Sequence, residues 1–287
     1  MKAPKFSYIR AESLDHALAL LAEHGEDARI LAGGQSLMPT LNMRLSQPDL
    51  LIDINRLADL KGISLEGNRV RIGALTRHVE VLNSPIVADH LPLIAEAMPH
   101  VAHVAVRNRG TFGGSVAMAD PAAEMPACAL ALEATLVVES VRGRREIAAD
   151  DFFLGLYETA RQPDEIFVEA LIPVQAADSV SVFMELARRK GDFAMAGVAC
   201  CAKIEGGAVA HSRLVYFGSE VKPTLATGAM AALKGQSWPD PAREAVLTAL
   251  GDDLDPMDNL LGSPATKLHL QRVLTGRALD AAMERAA

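Results

Sequence analysis

The spacing of apolar and polar positions changes several times along the chain, and each change predicts a different element. Residues 6–9 form a short, mostly apolar run that predicts an opening strand. Over residues 13–24, Leu14, Leu18 and Leu21 recur at helical spacing; Ser13 suits the N-cap and Gly25 the stop. Residues 28–32 and 49–54 are apolar enough to predict buried strands, and 40–45 a helical turn between them. Residues 1–55 are therefore expected to form a compact α/β unit.

Beyond Leu57 the pattern is that of hairpins. Residues 62–65 and 69–72 flank the turn Glu66-Gly67-Asn68, and 134–139 and 144–147 flank Gly143. Helices are expected at about 79–83 and 92–97, and a strand over 166–172 ended by Pro173. Composition shifts across 174–178, which places the main domain boundary there, after a second part at 56–176. Residues 180–186, 197–204 and 212–217 then predict three strands, followed by helices at about 224–233, 241–250 and 263–283. The last part, 177–287, thus reads as a small α+β domain.

Two stretches interrupt this alternation. Leu31-Ala32-Gly33-Gly34-Gln35-Ser36-Leu37-Met38-Pro39 joins a strand to a helical turn. Gly33 and Gly34 can take positive φ and let N–H groups converge on an anion, with Gln35 and Ser36 as further donors. A second such turn, Arg107-Asn108-Arg109-Gly110-Thr111-Phe112-Gly113-Gly114-Ser115, lies about 75 residues on, and two cradles suit a ligand with two phosphates. Neither has the pattern G-x-G-x-x-G or G-x-x-x-x-G-K-[ST], so the familiar nucleotide folds are not supported. After the second turn, Asp120-Pro121 has the form of an N-cap and first helical residue, with Glu124 four residues on. With no histidine or activated nucleophile beside them, these carboxylates suit hydroxyl acceptors better than general acids. Thr76 reads equally as a ligand hydroxyl or a helix cap, and Arg107 and Arg109 as diphosphate partners or solvated pairs.

Composition narrows the classes. Half of the 287 residues are hydrophobic, but no apolar run approaches the ~20 residues of a membrane span, and Met1-Lys2-Ala3-Pro4-Lys5 leads into no signal-peptide core. The expectation is a soluble, cytoplasmic protein. Twenty-eight Lys and Arg against 36 Asp and Glu leave a net charge of −8, which disfavours nucleic acid. Cys128, Cys200 and Cys201 are too few for an iron–sulfur cluster, so any such cluster belongs to another chain. His100 and His103 have no third ligand nearby, and no metal site is expected.

The blocks AGGQSLMP at 32–39, RIGALTRH at 71–78, RNRGTFGGSVAMADPAAEMPA at 107–127 and ARRKGDFA at 187–194 occur in an order that resembles the FAD-binding medium subunit of molybdenum hydroxylases, the carbon monoxide dehydrogenase and xanthine dehydrogenase family. The resemblance implies an α+β fold: a two-part FAD-binding domain of the vanillyl-alcohol-oxidase-like (PCMH) type, then an α+β C-terminal domain with a three-stranded antiparallel sheet and helices. It implies a flavoprotein, an oxidoreductase subunit that passes electrons from two [2Fe–2S] clusters of a small partner through FAD to an external acceptor. A large partner would hold the molybdenum cofactor, in a dimer of heterotrimers. Carried over by position, Ala32, Gly33, Gly34, Gln35 and Ser36 form the first diphosphate turn, and Thr111, Gly113, Gly114 and Ser115 the second. Thr76, Asp120 and Glu124 are polar contacts, Val101 and Phe167 apolar contacts, and Lys190 and Asp192 candidates for the polar edge of the flavin ring. No catalytic acid, base or nucleophile is implied. Phe112 and Met118 depart from the isoleucine or valine, and the histidine, of many relatives, which bears on ring packing. The alternatives are a stand-alone flavin oxidoreductase of the same fold, or a non-enzymatic α/β assembly protein whose glycine turns are structural.

Overall fold

The computed structural model describes residues 2–287. Its first unit is a parallel sheet of β1 (Ser7–Arg10), β2 (Ala28–Leu31) and β3 (Leu50–Asp53), with β3 in the middle and Ile52 level with Ile9 and Ile30. All four residues of β3 are buried, as expected of a strand paired on both sides. The helix Leu14–His24 covers the sheet with Ala17, Leu18 and Leu21, and the Ser13 side chain accepts from His16 N at 3.1 Å.

The second sheet is antiparallel. It contains β4 (Ile63–Glu66), β5 (Arg69–Gly73), β6 (Thr135–Ser140), β7 (Gly143–Ala148) and β10 (Ile166–Pro173) in the order β4-β5-β10-β6-β7; a small hairpin, β8 (Phe153–Gly155) and β9 (Glu158–Thr159), lies beside it. Alternation decides which neighbour each side chain meets. Val137, Ile166 and Val168 join the core of the first unit, whereas Leu136, Val138, Ala170 and Ile172 face a layer of helices.

That layer is chiefly Pro92–Ala97, Phe112–Met118 and Glu124–Ala131, and the first and last of these helices are covered on their far side by a third sheet. It is built from β11 (Ser179–Ala187), β12 (Ala194–Glu205), β13 (Ala208–Phe217) and β14 (Thr224–Leu225). One face contributes Phe183, Ala199, Val215 and Phe217 to the helical layer; the other packs Val182, Val198, Cys200 and Tyr216 on the C-terminal helices. The helix Pro264–Ala286, capped by Ser263, is the longest of these.

Two expectations are corrected. The C-terminal sheet has four strands, not three: Thr224 and Leu225 pair with Tyr216 and Val215, and the helix expected from 224 begins at Thr227. A two-residue strand has no period for a sequence to display. Asp120 also caps no helix. Ala119, at φ 51°, ends Phe112–Met118, and Asp120 Oδ1 closes a turn by accepting from Ala122 N at 2.9 Å. The next helix starts at Glu124, so Pro126 falls in its first turn, where a missing N–H removes no intrahelical bond. Among the described residues no helix is long and apolar enough to cross a membrane.

Candidate functional site

The two glycine turns meet. A Cβ on Gly33 would lie 2.5 Å from Arg109 O and 2.8 Å from Gly110 Cα, so only glycine lets the first turn touch the second. Gly34 takes φ 70°, and Gln35 Nε2 donates to Gly33 O at 3.1 Å, closing the turn. The amides of residues 33–37 donate to no acceptor among the described residues. Consecutive N–H groups left open on a partly exposed turn are the donor set an anion takes.

The second turn is more tightly wound. Phe112 N donates to Thr76 O and Gly113 N to Ala74 O, both at 2.9 Å, while Thr111 Oγ1 accepts from Gly114 N at 3.0 Å as the cap of Phe112–Met118. A Cβ on Gly113 would sit 2.6 Å from Ala74 Cα, which explains the first glycine of this pair as a packing requirement. Gly114 is exposed and Ser115 partly so, leaving their surface to a ligand.

A strap ties the turns together. Arg77 Nη1 donates to Arg109 O, and Nη2 donates to Asn55 Oδ1 at 2.7 Å; Asn55 Nδ2 in turn donates to Ala32 O at 2.7 Å. Arg77 lies in the block RIGALTRH, but its pairing with Asn55 is not visible in the sequence, because Asn55 lies 22 residues away and no motif contains both. Arg107 is a second staple, its Nη1 donating to Val101 O and Ala102 O at 2.8 and 2.9 Å, and it makes no ion pair among the described residues. Beneath the second turn His78 is 4% exposed. Burial, and then the charges of Arg107 and Arg77, lower its pKa to about 4, so its imidazole is neutral.

The carboxylates lie past the second turn. Asp120 Oδ2 accepts from Tyr157 Oη at 3.2 Å, and burial raises its pKa. Glu124 is 8% exposed and makes no side-chain bond to another protein group; burial, with the charge of Asp120 adding to it, raises its pKa to about 7. The turn with Lys190 and Asp192 packs on the segment that leads into the second glycine turn through Gly191, where φ is 84° and a Cβ would lie 2.5 Å from His103 Cε1. Lys190 and Asp192 are exposed, and Phe193 beside them is 63% exposed.

Three further candidates, Thr76, Phe167 and Val101, are buried. Thr76 is 1% exposed, and its hydroxyl donates to Gly62 O at 3.0 Å. Phe167 is 4% exposed on the central strand β10, its ring 6.3 Å from that of Phe152, and Val101 belongs to the same core. Burial under both neighbouring layers leaves Phe167 no free face.

The residues present fit FAD. Open amides and glycines suit the diphosphate, and Asp120 and Glu124 supply acceptors for hydroxyls. Comparison with known proteins agrees. Residues 4–175 match the family described as the FAD binding domain in molybdopterin dehydrogenase, and residues 181–282 the CO dehydrogenase flavoprotein C-terminal domain. The chain is 39% identical to the carbon monoxide dehydrogenase medium chain of Hydrogenophaga pseudoflava, covering 100% of both. It is 38% identical to subunit alpha of the 6-hydroxypseudooxynicotine dehydrogenase complex of Paenarthrobacter nicotinovorans, covering 100% of this chain and 97% of that one. A solved carbon monoxide dehydrogenase from H. pseudoflava, lacking the Mo-pyranopterin moiety of its molybdenum cofactor, superposes with a TM-score of 0.97 at 41% identity over 100% of both chains.

Proposed function

The chain belongs to the FAD-binding medium-chain family of molybdopterin dehydrogenases, and from that premise we propose that it is the FAD-carrying electron-transfer subunit of a three-component molybdenum hydroxylase. The observation that carries this is the contact between two glycine turns from different parts of the chain, one with a run of unclaimed amides. Bound FAD supplies the means to take electrons singly and release them in pairs.

The chain's own residues hold and orient that group. Residues 32–36 and Thr111, Gly114 and Ser115 offer donors and close approach to the diphosphate, with Gly113 setting the second turn against Ala74. Asp120 and Glu124 accept from hydroxyls. Lys190 and Asp192 stand at the polar edge of the ring, where a cation favours added negative charge. The Arg77–Asn55 strap keeps the two turns in register. The cofactor-binding part comprises residues 1–55 and 56–176, and 177–287 form the C-terminal domain that covers it.

In this reading a large partner carries the molybdenum cofactor and a small partner two [2Fe–2S] clusters, assembled as a dimer of heterotrimers in the cytoplasm. Substrate choice rests with the large partner, which accounts for relatives of this chain serving enzymes named for carbon monoxide and for a nicotine derivative. Tandem-affinity purification from native cells, with absorbance spectra and metal analysis, tests the proposal. Recovery with one larger and one smaller chain, FAD, iron and molybdenum is expected. A yellow protein recovered alone and turning over a substrate by itself would replace this reading with that of a stand-alone flavin enzyme.

A further inference from the structure

Glu185 has a placement that the cofactor assignments leave unused. Along β11, Ser181, Phe183 and Glu185 share the face turned to the FAD-binding part, since Val182 and Met184 pack on the opposite side. Glu185 pairs across the sheet with Gly197, and Gly197 with Phe217. Gly197 has no side chain because the Phe217 ring occupies its place, 2.3 Å from where a Cβ would be. The row from Glu185 therefore ends on the Phe217 ring, and the next residue, Gly218, donates its N–H to Pro121 O at 2.8 Å, three residues before Glu124. Glu185 stands on the same sheet face, near enough to Glu124 for that carboxylate's charge to act on it.

No cation answers these two acids. Glu185 Oε2 is buried with no hydrogen-bond partner, and Glu124 is more than nine-tenths buried with no side-chain partner. The other titratable groups around them are Asp120 and Tyr157, which bond each other, and Cys128, Cys201 and Glu96. Glu96 is paired with Arg285 at 2.6 Å, and burial pushes both thiols up. His100 and Lys190 lie close to each other at the edge of this group.

We propose that Glu185 is a positioning residue of the cofactor site: held as a neutral acid across the domain junction, it allows Glu124 to stand as a bare carboxylate for an FAD hydroxyl, and loss of the Glu185 proton limits FAD binding at alkaline pH. The inference rests on the FAD reading above. Burial raises Glu185 to about 8, with the charge of Glu124 adding to it, and Glu124 is raised to about 7. Between these values Glu124 sheds its proton while Glu185 keeps its own. The bound diphosphate and the fixed Glu124 charge add negative potential, so FAD binding makes Glu185 still harder to ionise. By linkage, affinity then falls as rising pH removes that proton.

The test is the dissociation constant for FAD of the full, FAD-stripped chain between pH 6 and 9, with infrared difference spectra of FAD binding. Wild type is expected to bind most tightly between pH 7 and 8 and to weaken about fivefold by pH 9, on the way to the tenfold limit that one unit of coupling sets. E185Q, permanently uncharged, keeps the acid limb and loses the alkaline one. Its spectrum also lacks the protonated-carboxyl band that wild type and E124Q retain. E124Q binds more weakly at every pH and loses the acid limb. Superimposable profiles for wild type and E185Q overturn the inference, and so does a wild-type profile with no alkaline limb, which needs no variant to fold. Absence of FAD binding at every pH would instead overturn the FAD reading itself.

Discussion

Replacing Gly33 by alanine tests the contact on which the cofactor site is built. The added Cβ would lie 2.5 Å from Arg109 O and 2.8 Å from Gly110 Cα, against an ordinary separation of about 3.5 Å. Both obstacles are backbone, so no side chain can swing away; the turns must part by about 1 Å. Overpacking of this kind costs about 1–3 kcal/mol. Parting the turns also stretches hydrogen bonds to a diphosphate, and a bond to a charged group contributes about 1.5–3 kcal/mol. Loss of one such bond weakens FAD about 10–150-fold. Titration of FAD-stripped full chain, followed by quenching of flavin fluorescence, reads this directly. Gly67→Ala is the control: it costs stability through its backbone, at φ 63° in the β4–β5 hairpin, with nothing within 4 Å of its Cβ. It is expected to lower stability by about 1 kcal/mol and leave the FAD dissociation constant unchanged. A Gly33→Ala protein that binds FAD within twofold of wild type would refute the argument.

Asn55→Ala removes the joint of the strap; we expect about 1–3 kcal/mol of lost stability by chemical denaturation and weaker FAD binding, with unchanged affinity counting against a role in register. His78 is neutral in the fold and charges on unfolding below its ordinary value of 6.5. Stability it leaves intact above pH 6.5 is therefore lost as pH falls toward about 4, by up to ~3 kcal/mol. Urea unfolding at pH 7, 5.5 and 4.5 should show that loss reduced in His78→Gln; parallel curves would show that His78 is not its source. Tyr157→Phe removes the hydrogen bond to Asp120 and is expected to weaken FAD by up to about tenfold, more at pH 5 than at pH 8, since Asp120 then protonates more readily. A pH-independent effect in calorimetric titration would contradict that explanation.

Much of the architecture was legible because its elements carry a clear period or a long apolar run. The amphipathic helix Leu14–His24 buries one definable set of positions, while the strands β11, β12 and β13 are long apolar runs packed on both faces of their sheet. Glu124–Ala131 is the opposite case: all of its residues are buried, so no polar face marks it as a helix. Phe112–Met118 is hidden by its two glycines, which are there for contact with Ala74 and for the cap. Within the site, glycine turns could be read because few other residues tolerate those geometries. Phe167 shows the limit. An apolar residue near a motif reads alike whether it meets a cofactor or a core, and only the fold shows that Phe167 is buried on the central strand. Thr76 is similar, its hydroxyl claimed by Gly62 O across a turn that spacing does not reveal. The Arg77–Asn55 strap and the Glu185 row are products of tertiary geometry alone.

The bond from Gly218 N to Pro121 O has a consequence for how the protein is made. It anchors the loop carrying Asp120 to a residue that leaves the ribosome nearly 100 positions later. A nascent chain that has completed both glycine turns still lacks the sheet against which this loop rests. Cofactor loading is therefore expected at the end of synthesis, once the third sheet has been built.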